Sequence, residues 1–208
     1  MTLRRSLLSA PLLLTPLLAL QMPPAQAQGA PPSTRLRGTI ASISGDRLTV
    51  APRDGGSTEV ALAENLVVSA RKRVELSSIK PGDYLGIAAA PGPGGAWQAI
   101  EVVVFPEALR GIGEGHYAWD LAPGTSMTNA TVAAAVEKTQ GRELVMNYRG
   151  GSTTIQVPAE ASVVTPIPAA RSDLVPGAQV VVQATRDASG ALTTSRITVS
   201  KDGVMLPM

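Results

Sequence analysis

From Arg35 onward, apolar and polar residues alternate in short runs and do not recur at a helical spacing. The runs LRGTIASI, RLTVAP, STEVALA with its extension toward NLVVS, DYLGIAA and WQAIEVVVF predict five strands. Leu36, Gly38 and Ile40, and likewise Ile100, Val102 and Val104, fall on one side of theirs. Between the third and fourth runs, VELSSIKPGD predicts a short helical turn ended by Pro81 and Gly82. Many β-branched residues between Gly and Pro punctuation give an all-β chain.

The pattern then repeats. A shift of 95 lays Gly55, Gly56, Ser57 and Thr58 onto Gly150, Gly151, Ser152 and Thr153, and it carries Ile79, Pro81 and Gly82 onto Leu174, Pro176 and Gly177. Upstream a shift of 96 pairs Ile40, Gly45, Leu48 and Val50 with Val136, Gly141, Leu144 and Met146. Five strands with a helical turn between the third and fourth suit an OB-like barrel. The expected fold is all-β: two tandem five-stranded OB-like β-barrels related by internal duplication, over residues 35–104 and 130–199. Trp97 matches Leu192 and so reads as a core or barrel-mouth side chain. The basic run Arg71, Lys72 and Arg73 faces Pro166, Ile167 and Pro168 and reads as a solvated loop.

Residues 1–27 place Arg4 and Arg5 before a leucine-rich segment and an A-x-A site at Ala25 to Ala27, the pattern of a secretory signal peptide. The expected location is periplasmic or secreted. Cysteine is absent, so apolar burial must hold an exported chain together without disulfides. The signal holds two of the 18 basic and none of the 16 acidic residues, leaving 16 of each. That balance gives no drive toward nucleic acid or anionic lipid. After the signal no apolar run is long enough for a membrane span, so a soluble protein is expected. The tail, 200–208, ends in apolar residues that suit folding back onto a barrel.

Between the copies, residues 105–129 form an aromatic- and Gly-rich connector, FPEALRGIGEGHYAWDLAPGTSMTN, which belongs to neither repeat. It holds the only Phe and the only His of the chain, which a passive linker has no use for. One reading is a connector whose aromatics pack in a groove between the barrels; another is a binding site of Glu114, His116, Tyr117, Trp119 and Asp120 in that groove. A soft-metal alternative uses His116 and Met127 as ligands with Trp119 over a copper or silver ion. Glu114, His116 and Asp120 match no standard zinc or calcium spacing. The G-x-G-x-G at Gly111, Gly113 and Gly115 lacks the strand, helix and Lys of a phosphate loop. Ser126, His116 and Asp120 can be written as a triad, but no nucleophile elbow supports it.

The order RG-x-GEGH at Arg110 to His116, WDL-x-PG-x-SMTNATV at Trp119 to Val132, GG-x-x-x-I-x-VP at Gly150 to Pro158, D-L-x-PGA at Asp173 to Ala178 and KDG-V-x-x-PM at Lys201 to Met208 resembles an uncharacterised family of exported bacterial proteins with tandem small β-domains. The resemblance implies an exported two-barrel protein and no established activity. Members are sometimes labelled metal-transporter permeases, which a chain without membrane spans contradicts. The functional expectation is a non-enzymatic binding or scaffolding protein of the cell envelope, without a cofactor. Its partner would be an envelope protein or a small ligand; the alternative is a periplasmic copper or silver chaperone.

Overall fold

The structure is a computed structural model that describes residues 33–138 and 141–208. The expected signal peptide, 1–27, lies outside the described residues. Twelve strands follow one another: β1 (Ser33–Ser44), β2 (Arg47–Pro52), β3 (Thr58–Arg73), β4 (Tyr84–Pro91), β5 (Trp97–Val104), β6 (Gly115–Ala118), β7 (Ser126–Lys138), β8 (Gly141–Tyr148), β9 (Gly151–Val157), β10 (Ser162–Ala169), β11 (Gln179–Arg186) and β12 (Leu192–Val199). The two expected helical turns are single 3-10 turns at Leu76–Ser78 and Arg171–Asp173. Among the described residues no helix is long and apolar enough to cross a membrane.

The barrels are five-stranded and closed, as the pattern predicts, but their boundaries are not those of the repeats. In the first, β1 pairs with β2, β2 with β3, β3 in parallel with β12, β12 with β11, and β11 with β1. In the second, the ring runs β7, β8, β9, then β5 in parallel, β4, and back to β7. Each copy therefore gives its first three strands to one barrel and its last two to the other. Segments 35–104 and 130–199 do not close on themselves. Each of the two apolar cores reflects this: Ile40, Leu48 and Val60 pack with Val182 and Ile197, while Leu85 and Val102 pack with Val132, Leu144 and Ile155.

Strand length explains the exchange. β3 runs unbroken for 16 residues, about 50 Å at the rise of a β-strand, so its far end has left the barrel in which it began. There it pairs antiparallel with β10, which joins β5 in parallel. The sheet β12-β3-β10-β5 thus runs through both barrels. In the β3–β10 register Arg71 lies opposite Pro166, its own counterpart at the 95-residue shift. A pseudo-twofold axis passes between them. The basic run is accordingly part of a strand, not a solvated loop.

Two further expectations shift by local geometry. Ile40 and Val132, not Val136, are equivalent: both are buried, and they bond to the matching turns through Ala178 and Asp83. The β7–β8 hairpin is longer than the β1–β2 hairpin, which leaves Val136 exposed. Ile100 is at a bulge, where Ala88 pairs Glu101 and Ala89 pairs Ala99, and it turns outward. A matching bulge lies at Ser195 in β12. The tail folds back as expected, burying Val204 and Leu206, with the Leu206 amide bonded to Gln179 at 3.0 Å.

Strand exchange makes a prediction about the halves. A protease site inserted after Arg110 will yield two fragments that remain associated after cutting. Each fragment alone will lack the circular dichroism of the intact protein, and mixing them will restore it. Independent folding of either fragment would contradict the exchange.

Candidate functional site

The pseudo-twofold axis opens onto a cleft of about 500 Å³ between the barrels. Its floor is the outer face of the shared sheet, with Val67, Ser69 and Arg71 from β3 and Pro166 from β10. One wall is β1 with β11 and β12; the other is β7 with β4 and β5. These walls occupy matching positions in the sequence repeat, yet their chemistry differs. Arg35 and Arg37 pair with Gln183 and Val181, whereas Met127 and Asn129 stand at the matching places, paired with Ala88 and Gly86. Arg196 on β12 likewise corresponds to Glu101 on β5. One wall is basic and the other mostly apolar.

The connector closes one side of the cleft. Phe105 fits over Gly86, where a Cβ would come within 2.8 Å of its ring. The Ile112 carbonyl accepts hydrogen bonds from Tyr84 Oη at 3.1 Å and Asn129 Nδ2 at 3.2 Å. β6 then forms a hairpin with β7, in line with β8. Glu114 accepts a hydrogen bond from the Arg149 amide at 2.8 Å. The Trp119 amide donates to the Thr125 carbonyl at 2.8 Å, and Thr125 Oγ1 donates to the Ala122 carbonyl at 2.7 Å, closing the next turn.

That turn reaches across to the opposite barrel. Asp120 takes Arg35 at 2.9 Å and Arg37 at 2.8 Å, and the Arg35 guanidinium lies 3.9 Å from the centre of the Trp119 ring. Burial works to raise the Asp120 pKa, but the hydrogen bond from Arg37 and the charges of both arginines outweigh it and hold the carboxyl below the usual aspartate range. The proposed site residues thus divide. Trp119 and Asp120 clasp β1, while His116 belongs to a separate cluster at the mouth of the second barrel. There its Nδ1 lies 2.8 Å from Thr128 Oγ1, with its ring edge-on to Trp97 and stacked on Tyr148. Tyr117 is half-exposed and accepts a hydrogen bond from Asn129 Nδ2.

The soft-metal set is not brought together. His116 pairs with Thr128 and Tyr117 with Met127, so the His116 and Met127 side chains leave opposite faces of the hairpin. Among the described residues no three His, Asp or Glu side chains converge as metal ligands. Nor is the triad assembled: Ser126 Oγ is buried without a hydrogen-bond partner, and Asp120 is committed to the arginines.

The cleft also holds Arg71, which its basic run placed in a solvated loop, and Glu101, which no sequence motif marked. They form an ion pair at the floor, with Glu101 only 4% exposed. Burial pushes the Glu101 carboxyl up and Arg71 partly offsets this; its Oε1 has no partner among the described residues. A signal was present in the repeat, where EVVV at Glu101 to Val104 faces RITV at Arg196 to Val199 with opposite charge. No family model, curated protein or solved structure matches the chain.

Two predictions follow from these ion pairs. Arg71→Met will lower stability by about 3 kcal/mol by stranding a buried carboxylate, and adding Glu101→Leu will recover most of the loss; urea unfolding of both variants checks it. A depressed Asp120 pKa contributes stability above the unfolded value of about 3.9, lost as pH falls through the folded value. Trp119 fluorescence in a Trp97→Phe background will therefore be flat from pH 5 to 8 and change only below about pH 4. Asp120→Asn will show the acid spectrum throughout, at a cost of about 1 kcal/mol or less.

Proposed function

We propose that this chain is a non-enzymatic binding protein of the cell envelope whose ligand occupies the inter-barrel cleft. The observation that carries the reading is the concentration of unsatisfied surface there. Val67, Leu109 and Ile112 are 60%, 36% and 44% exposed, and all three line this one cleft. Apolar surface of that size is costly to leave in water and is reduced when a ligand covers it. The volume falls within the range of small-molecule sites, which combine mostly apolar walls with a few polar groups. Export rests on the signal-like residues 1–27.

Binding suits the arrangement better than catalysis. A general base must be free to reach a substrate, and here the ionised groups facing the cleft are largely spent on one another. Arg35 and Arg37 hold Asp120, and Arg71 holds Glu101. The chain's only histidine is packed between two aromatic rings away from these pairs.

The neutral dye Nile red tests the reading on residues 28–208. One-to-one binding is expected, weakened roughly tenfold in Leu109→Asp/Ile112→Asp, since two apolar side chains of the rim are lost. Both positions are exposed, so the thermal midpoint should stay close to that of the parent. Binding at many weak sites, or an affinity unchanged by the double substitution, would remove the cleft from consideration.

A further inference from the structure

Resting on the cleft reading, the inference concerns which ligand fits. Four arginines line the cleft, and two carboxylates face them. Asp120 answers Arg35 and Arg37 together, and Glu101 answers Arg71. The fourth, Arg196, has no side-chain hydrogen bond or ion pair among the described residues. Its neighbour across the β12–β3 pairing is Val67, the most exposed large apolar residue of the described chain. An unanswered guanidinium thus stands beside bare hydrocarbon on one wall, and the opposite wall offers Ala88, Val103 and Met127 with Phe105 beyond.

We propose that the cleft binds a single-chain aliphatic carboxylate. Its head pairs with Arg196, and its chain lies over Val67 and along the floor toward Val103 and Phe105. A guanidinium presents a planar fork of donors that matches a carboxylate two bonds at a time, which favours this head group over a neutral one. A cationic head meets the excess of arginine over carboxylate in the cleft and is disfavoured. Arg196 stands at one wall where Glu101 stands at the other, giving a hydrocarbon-lined cleft a charged end.

Calorimetric titration of residues 28–208 below micellar concentrations, with dodecanoate, dodecanol and dodecyltrimethylammonium, tests the assignment. Dodecanoate is expected to bind one-to-one and most tightly. Arg196→Gln will weaken it roughly ten- to hundredfold, the loss of a charge-assisted pair, and leave dodecanol unchanged. Val67→Glu, which sets a carboxylate beside Arg196 at an exposed position and removes apolar contact, will weaken dodecanoate by more than it weakens dodecanol. Equal binding of dodecanoate and dodecanol, or an anion preference that survives Arg196→Gln, overturns the carboxylate assignment and leaves the Nile red site standing. Cosedimentation with phosphatidylglycerol vesicles by a protein that ignores monomeric dodecanoate also overturns it, placing the anion in a bilayer. Loss of Nile red binding as well removes the site itself.

Discussion

The antiparallel pairing of β3 with β10 is the constraint from which the rest of the architecture descends. It is where the two copies of the repeat meet, with Arg71 opposite Pro166 on the pseudo-twofold axis. Because β3 continues as one strand from the first barrel into this junction, the next two strands of its copy are delivered to the second barrel. The junction also decides where the cleft lies, since its outer face is the cleft floor. Barrels that closed within their own copies would have no reason to share a sheet, and the space between them would depend on a linker alone.

Exchange also gives the connector its task. With the strands exchanged, residues 105–125 must lead from the end of β5 to the start of β7, both in the second barrel. A short loop would satisfy that path. The longer connector instead anchors on Gly86, Tyr84 and Asn129 and sends Trp119 and Asp120 across to β1 of the other barrel. Its aromatics are therefore explained by contact with both barrels. Asp120 pairs with Arg35 and Arg37 in the same step, so of the three arginines on that wall only Arg196 is left without a carboxylate partner.

Much of this was legible in the sequence because strands, turns and repeats are written in local pattern. The alternation, the Pro-Gly turns and the 95-residue shift lead to five-stranded closed barrels and place the 3-10 turns at Leu76–Ser78 and Arg171–Asp173. Exchange was not legible, for a physical reason. Equivalent strands have equivalent neighbours, so a repeat satisfies pairing within a copy and pairing between copies equally well. Only the unbroken run from Thr58 to Arg73 hinted that the third strand outlasts its barrel. For the site, the connector drew notice through its rare residues, whereas single charges on a strand such as Arg37 and Arg196 belong to no motif. Opposite charge at matched positions, Glu101 against Arg196, was the available sign.

The divergence of matched positions carries the functional argument further than the fold does. Core positions keep their character across the 95-residue shift: Leu85 matches Val180, Val102 matches Ile197, and all four are buried. Packing in a closed barrel admits little else. Outer-face positions bear no such restriction, and on the two walls they part company, with Arg35 and Arg37 against Met127 and Asn129, and Arg196 against Glu101. Had those positions merely faced solvent, charge on either wall would have served. A basic wall opposite an apolar one creates a direction across the cleft, and a direction is useful only to an occupant whose two ends differ.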